Sequence, residues 1–215
     1  EQYLSASAKI AALAVGDPDA PAVTAVYRAP SDLAQGVHVE GMPLGTRGGL
    51  KFTHAFPADG EYRLTIKDLG VGLYPRAVET KHTLVVLVDR VEAFRDDIGG
   101  PEDLALIDRG GAPARAEVMQ PFANIPLQIK AGVHEIAVTF VSRSRAASDE
   151  QVSEFSATQD FSYTGAPRVP GIVAGIDLIG PYAASGLSRT ASREKLFICE
   201  PEVEERVREC AELIA

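Results

Sequence analysis

The sequence is poor in the residues that most often mark a binding or membrane site. Its 215 residues contain no tryptophan, two cysteines and two methionines. Without tryptophan, a platform on which sugar rings stack would have to be built from tyrosine or phenylalanine. The longest apolar run is Leu84–Val88, far short of the roughly 18 residues that a membrane helix requires. We therefore expect no membrane span.

Basic charge is also scarce. Lysine and arginine total 21 against 30 aspartates and glutamates, which gives a net charge of −9. Nucleic-acid-binding domains usually carry a basic face, but the densest basic pair here is Arg143 and Arg145, in a segment that reads as a solvated loop. The charge balance argues against nucleic acid as a partner and is compatible with neutral glycans or cations.

Motifs of self-contained catalysis are missing as well. The sequence has no HExxH, GxSxG, P-loop, GxGxxG or CxxCH pattern. The four histidines do not fall at metal-ligand spacing, and His54 follows the apolar face of a predicted strand. His54 reads as a hydrogen-bonded core histidine, with a haem or metal ligand as the alternative. We predict a non-catalytic chain, whose longer parent protein could be an oxidoreductase.

The two cysteines, Cys199 and Cys210, lie too far apart for a CxxC motif. In an oxidising compartment they could form a disulfide that contributes about 3 kcal/mol to stability. Two unpaired, buried thiols are the alternative reading.

What the chain does contain is a long stretch of alternating apolar and polar residues. From about residue 22 to 178 the period is two, as in Tyr62, Leu64 and Ile66. Short segments rich in Gly and Pro separate these runs, and the sequence shows no βαβ alternation. The pattern predicts a mainly β fold, an antiparallel, jelly-roll-like β-sandwich flanked by an N-terminal and a C-terminal helix.

Several local features follow from the same pattern. We expect hairpins around residues 57–60 and 130–132, a strand buried on both faces at 83–88, and an extended piece at 195–198. Short strands are expected at Val37–Val39 and Ile172–Leu178. Residues 91–125 and 142–170 read as long loops. Helical spacing predicts α-helices over 3–15 and 201–214.

This reading divides the chain into three parts. Residues 1–18 would be a helix belonging to a preceding helical domain, and residues 19–187 the β-sandwich domain. Residues 188–215 would be a linker strand and the start of a following helical domain.

Three stretches carry a resemblance to a known family. They are residues 1–18, residues 38–49 with the run Glu-Gly-Met-Pro-Leu-Gly-Thr-Arg-Gly-Gly, and residues 179–211 with Ile-Gly-Pro-Tyr and Ser-Arg-Glu-Lys-Leu-Phe-Ile-Cys. Together they resemble the central β-rich region of planctomycete-type cytochrome c proteins with DUF1587/DUF1592-type domains. That region is in turn similar to calcium-dependent, xylan-binding-type carbohydrate modules.

The resemblance implies an exported protein located in the periplasm, at the cell surface or outside the cell. Haem c would sit only in other parts of that parent protein. This chain would be a carbohydrate-binding-like module that binds polysaccharide or another glycan, with calcium as a cofactor. The alternative is a ligand-free interdomain scaffold that positions a haem domain, neighbouring domains or partner subunits of a cytochrome-containing assembly.

Candidate site residues follow from these expectations. For calcium, Glu40 from an early strand could act with Asp177 from a late one, and a second set comprises Asp89, Asp96 and Asp97. Salt bridges or solvated charges are the alternative for each. For carbohydrate we single out Tyr74, Phe94 and Arg95, with loop packing as the alternative for the two aromatic rings.

Overall fold

The computed structural model describes residues 2–30, 35–70, 78–142, 169–197 and 199. The chain folds as a β-sandwich of two four-stranded antiparallel sheets, as the alternating pattern predicts. The strands are β1 (Val23–Tyr27), β2 (Thr46–Phe56), β3 (Asp59–Ile66), β4 (His82–Val88), β5 (Val91–Ile98), β6 (Ile125–Ile129), β7 (Gly132–Val141) and β8 (Ile176–Gly186). The helices are α1 (Gln2–Val15), α2 (Pro101–Met119) and α3 (Ala191–Leu196).

The strand order is that of a jelly roll. One sheet, sheet A, runs β1-β8-β3-β6 and the other, sheet B, runs β2-β7-β4-β5. The antiparallel pairs β4·β5, β3·β6, β2·β7 and β1·β8 are nested in sequence, as in one long hairpin that has been rolled up. The pair β3·β8 joins two of these strand pairs into sheet A, and the pair β4·β7 joins the other two into sheet B.

This topology corrects both predicted hairpins. The strands flanking residues 57–58 and 130–131 exist, but β2 and β3 belong to different sheets, and so do β6 and β7. Each short connection therefore crosses from one sheet to the other. A tight turn between two alternating runs looks the same in sequence whether the strands pair or face each other across the core.

The one hairpin with a two-residue connection among the described strands joins β4 to β5 through Asp89 and Arg90. Both residues have positive φ, 49° and 68°, as a type I′ turn requires. Asp89 holds the turn through its carboxylate, which accepts the Glu135 N–H at 2.9 Å and contacts His134 Nδ1 at 2.5 Å. Burial alone raises the pKa of Asp89, but these contacts outweigh it and lower the pKa below 3.8.

The predicted long loop at 91–125 is wrong. These residues form β5, then α2, then a 3₁₀ turn at Gln120–Phe122. Helix α2 is kinked at Gly111 (φ 61°) beside Pro113. These two residues interrupt the helical spacing of apolar residues, so the sequence pattern did not predict the helix. Its buried residues Ile107 and Val118 join the main core together with Phe122.

The core lies between the sheets and is made of alternate residues of each strand. Examples are Tyr62, Leu64 and Ile66 on β3, each at most 3% exposed. Strand β4 is buried on both faces, as predicted for residues 83–88. Its outward residues Val85 and Leu87 form a second, smaller cluster with Met42 from the segment before β2.

The predicted short strand at Val37–Val39 is wrong, because the Val39 carbonyl accepts the Met42 N–H at 3.1 Å within a turn rather than in a ladder. The late strand is β8, which begins at Ile176 rather than at Ile172 and runs to Gly186.

Because successive strands alternate in direction, successive connections lie alternately at the two ends of the sandwich. The short connections all fall at one end and the long ones at the other. Three two-residue connections, 57–58, 89–90 and 130–131, lie at one end of the sandwich, which we call the turn pole. The connections 28–45, 67–81, 99–124 and 142–175 begin and end at the opposite end, which we call the loop pole.

Both flanking helices leave from the turn pole. The Asp17 N–H donates to the Pro57 carbonyl at 2.8 Å, and Arg193 Nη1 of α3 donates to the Val15 carbonyl at the end of α1 at 2.8 Å. The extended piece predicted at 195–198 is wrong at its start, because α3 continues to Leu196. The predicted helix at 201–214 lies outside the described residues.

Asp59 fixes this arrangement. Its Oδ1 accepts the N–H groups of Ala131 at 2.6 Å and Ser188 at 2.8 Å, and its Oδ2 accepts the Ser188 hydroxyl at 2.6 Å. Burial alone raises the pKa of Asp59, but these bonds and the charge of Lys130 outweigh it and lower the pKa below 3.8.

We expect Asp59→Asn to lower the free energy of unfolding at pH 7 by about 2 kcal/mol, because an amide replaces one of two accepting oxygens. A carboxyl with a depressed folded-state pKa stabilises above its unfolded pKa, and this contribution disappears as pH falls through the folded pKa. Urea denaturation from pH 7 to 2 should therefore show the wild type and the variant converging below about pH 4. Asp108→Asn, at an exposed position on α2, is the control. Curves that stay parallel throughout would contradict the prediction.

Candidate functional site: the loop pole

The floor of the loop pole is built by the Gly-Thr-Arg-Gly-Gly end of the 40–49 run. At the start of β2 the register with β7 shifts between Arg47 and Leu50, so that the chain bulges there. Gly49 has φ 101°, and a Cβ on it would lie 2.1 Å from the Val138 carbonyl oxygen. Only glycine fits so close to the neighbouring strand.

The bulge turns Arg47 into the protein, where 9% of the residue is exposed. Its Nη1 donates to the carbonyls of Gln35 at 3.1 Å and Pro170 at 2.9 Å. Its Nη2 lies 2.9 Å from His82 Nδ1, and the guanidinium lies 4.7 Å from the centre of the Phe140 ring. Because arginine only donates, His82 Nδ1 is the acceptor, and Nε2 carries the proton toward Thr80 Oγ1 at 3.0 Å.

Gln35 ties a second group of backbone atoms to the same floor. Its Oε1 accepts the N–H groups of Gly49 and Ile172, both at 2.9 Å. The Gly100 N–H donates to the Val78 carbonyl at 2.9 Å, which ties the 99–124 connection to the 67–81 connection. The Gly171 N–H donates to the Leu69 carbonyl at 3.0 Å, which ties the 67–81 connection to the 142–175 connection. All four long connections are therefore fixed to one another at their bases by buried hydrogen bonds.

A charged pair lies on the outer face of sheet A at its loop-pole end, since the residues on either side of Asp177 point into the core. Asp177 on β8 accepts from Lys67 Nζ at 2.6 Å through Oδ2. Its side chain is 13% exposed, and the buried Oδ1 has no hydrogen-bond partner among the described residues. The backbone beside it is tied across the sheet, since the Lys67 N–H donates to the Gly175 carbonyl at 3.0 Å.

The structure does not gather the predicted calcium ligands. Glu40 lies in an exposed turn before β2, whereas Asp177 lies on sheet A. Asp89 sits at the turn pole, some seven residues along the β5 hairpin arm from Asp96, on the order of 20 Å away. In the described part of the chain, no group of three or more His, Cys, Asp or Glu residues is arranged to hold a metal ion.

The carboxylates of β5 also have partners within the protein. Asp97 accepts from the Thr83 hydroxyl at 2.6 Å and lies 3.5 Å from Lys81 Nζ. Asp96 accepts the N–H of Asp97 at 2.8 Å. Only the Lys81–Asp97 contact is an ion pair, and a calcium role for Asp96 and Asp97 stays a prediction.

Of the predicted carbohydrate-binding residues, Tyr74 lies outside the described residues. Phe94 is half-buried on β5, where its ring packs against the core and lies edge-to-face with Phe122 at a centroid distance of 6.4 Å. Arg95 is exposed and paired with Glu92 at 2.6 Å. A ring given little weight from sequence, Tyr182, lies on β8 under the Arg63 guanidinium, 4.6 Å from the ring centre.

His54 is hydrogen-bonded, as predicted, but it is half-buried at the edge of the core rather than inside it. Its Nδ1 lies 2.6 Å from the Tyr27 hydroxyl, and Tyr27 stacks on Phe52 with a centroid distance of 3.7 Å. Burial lowers the pKa of His54 below 6.5 and raises that of Tyr27 above 10.0.

Cys199 is disulfide-bonded. Cys210 lies outside the described residues, so the pairing of these two residues stays a prediction. Among the described helices, none has the length and apolar character needed to cross a membrane.

No protein-family model matches this sequence, and no curated protein matches it. Two solved structures are similar to 74% of this chain, which spans 24% of each of them. Both are of the GH2 β-galacturonidase from Eisenbergiella tayi, bound to galacturonate (18% identity, TM-score 0.31) and to glycerol (17% identity, TM-score 0.32).

Proposed function

We propose that this chain is a non-catalytic recognition module that binds polysaccharide at its loop pole. The observation that carries the proposal is the separation of the connections: the four long ones share one pole, above a floor of buried hydrogen bonds. Binding residues are commonly found on loops that a rigid sandwich holds in place. The Lys67–Asp177 pair at the same end of sheet A adds a half-exposed ammonium that can donate a hydrogen bond to a ligand hydroxyl.

The parent protein that we propose is exported and carries haem c elsewhere in its chain. This part of the proposal is supported by the resemblance of residues 1–18, 38–49 and 179–211 to the planctomycete-type cytochrome c proteins. The proposed location of the module is then the periplasm, the cell surface or the outside of the cell.

Calcium does not fit the described residues. Calcium requires six to eight oxygen ligands, and Asp177 offers one orphaned oxygen while Lys67 holds the other. The proposed binding step therefore uses hydrogen bonds from the protein alone, and the calcium dependence that the resemblance implies becomes one arm of the test.

The test is a glycan array that includes xylan fragments, followed by calorimetry on any ligand found, in calcium and in EDTA. We expect binding in both buffers, and Asp177→Asn should weaken it about tenfold, because Lys67 loses the carboxylate that holds its ammonium in place. Asp19→Asn, an exposed change near the turn pole, should leave affinity unaltered. No binding in either buffer would overturn the proposal. Binding that is seen in calcium but not in EDTA would show that calcium completes the site.

A second candidate function is the ligand-free scaffold. It is favoured by a different observation: both flanking helices leave from the turn pole, and α1 exposes Tyr3, Leu4 and Ile10 by 89%, 76% and 66%. A negative array together with full stability of the loop pole would favour this reading.

A further inference from the structure

The outer face of sheet A is the more open of the two outer faces. Sheet B is covered on its outer side by the segment before β2, whose Met42 packs against Leu87 and is 6% exposed. On sheet A, by contrast, Arg63 of β3 and Pro126 and Gln128 of β6 are exposed, while the residues on either side of each are buried. The four strands of this face span about 14 Å, since neighbouring strands lie about 4.8 Å apart.

A bulge in β8 puts an aromatic ring on this face. Between the residues that pair with Arg63 and Glu61, β8 holds one residue more than β3. Ile179, the partner of Arg63, points outward, since its neighbours are buried. Strict alternation from Ile179 would turn Tyr182 into the core, and the extra residue reverses this. The Tyr182 ring therefore lies on the outer face, with the Arg63 guanidinium 4.6 Å from its centre.

The backbone at this bulge is specialised. Gly180 has φ 156°, and a Cβ on it would lie 2.4 Å from Tyr62 Cδ1, so that only glycine fits beside the ring. Ala183 has φ 47°, a left-handed conformation that is unfavourable for a residue with a Cβ. Backbone strain of this kind clusters at functional sites, and the side chain that it presents here is Tyr182.

The polar groups around Tyr182 form pairs without net charge. Arg63 Nε donates to Glu61 Oε1 at 2.9 Å, and further along the same face Lys67 Nζ donates to Asp177 Oδ2 at 2.6 Å. Each cation has more N–H groups than its carboxylate takes up. Nucleic acid would require a basic face. A neutral sugar polymer fits better, because its C–H faces pack on an aromatic ring and its hydroxyls bond to paired charges.

We propose that a linear, neutral polysaccharide bound at the loop pole continues onto the outer face of sheet A. Tyr182 and the guanidinium over it form the platform for a sugar ring, and Glu61 accepts from a sugar hydroxyl. Lys67 is four residues along β3 from Arg63, about 13 Å closer to the loop pole, so one chain contacts both. This inference rests on the proposed function and extends the same binding event along the ligand.

The test is calorimetry with linear neutral oligosaccharides of xylose, glucose and mannose, each as a disaccharide and as a hexasaccharide. In the series that binds, the hexasaccharide should bind about tenfold more tightly, because only the longer ligand reaches from the loop pole to the platform. Tyr182→Ala and Arg63→Gln should each weaken hexasaccharide binding about tenfold. Tyr3→Ala, at an exposed tyrosine on α1, should not. Salt should have no effect, since the ligand is neutral.

Three results would overturn the inference. Hexasaccharide affinity that is the same in the wild type and in Arg63→Gln, an exposed position whose change leaves the fold intact, would leave the loop pole as the whole site. No binding in any of the three series would exclude a linear neutral ligand, while the glycan array still tests the loop pole for other glycans. Self-association that Tyr182→Ala abolishes, measured by sedimentation, would assign the face to a second copy.

Discussion

Replacing Gly49 with alanine should abolish or nearly abolish folding, with a loss of more than about 4 kcal/mol in the free energy of unfolding. Gly49 has φ 101°, and the added Cβ would meet the Val138 carbonyl oxygen at 2.1 Å and the Thr139 Cα at 2.8 Å. Both obstacles are backbone atoms of β7, which is paired on its other side with β4. Neither can move aside without breaking the sheet.

Gly45→Ala is the matched control. Gly45 also has a positive φ, 78°, but a Cβ there would have nothing within 4 Å. It should cost only the conformational strain, about 1 kcal/mol. Urea denaturation, or the soluble yield when a variant does not refold, measures both. Equal effects at the two positions would mean that φ alone, and not the close approach of β7, requires glycine in this run.

The second large effect is expected for Arg47→Met. The substitution keeps an unbranched side chain but removes the cation over Phe140 and the donors to the carbonyls of Gln35 and Pro170 and to His82. Buried acceptors that lose a charged donor typically cost about 3–5 kcal/mol. Arg47→Lys should recover only part of the loss, since one ammonium cannot reproduce the fork of the guanidinium.

Lys51→Met serves as its control on the same strand. Lys51 is partly exposed and contacts Glu135 and the Gly41 carbonyl, each at 3.3 Å, so its loss should cost no more than about 1 kcal/mol. Arg47→Met should also speed amide exchange in residues 35–37 and 169–173, because the shared floor of the loop pole opens. An increase in amide exchange that is confined to β2 would show that Arg47 stabilises only its own strand.

Alternation of side chains predicted the fold class well because one face of each strand must be apolar in a sandwich. It located β3, β4 and β7 and the helix α1. It could not assign strand pairing, since residues 57–58 and 130–131 form short turns whether or not their strands share a sheet. It missed α2 because Gly110, Gly111 and Pro113 interrupt the helical pattern.

The candidate site was less predictable, because its floor is assembled from distant parts of the sequence. The glycines around Arg47 stand out in the sequence, but the strand that starts there and the bulge that turns Arg47 inward do not. Nothing local indicates that Gln35, His82 and Pro170 meet there, since 123 positions separate Arg47 from Pro170. The carboxylates were visible in sequence, but their partners Lys67, Thr83 and His134 were not.

At the turn pole the chain enters and leaves the sandwich at nearly the same point: a Cβ on Gly16 would lie 2.7 Å from Leu187 Cδ2. Domains whose ends meet in this way are readily inserted into other proteins. A host protein could gain or lose the whole jelly roll as a cassette between two of its helices, with little displacement of either. Its evolutionary history can then differ from that of the sequences around it.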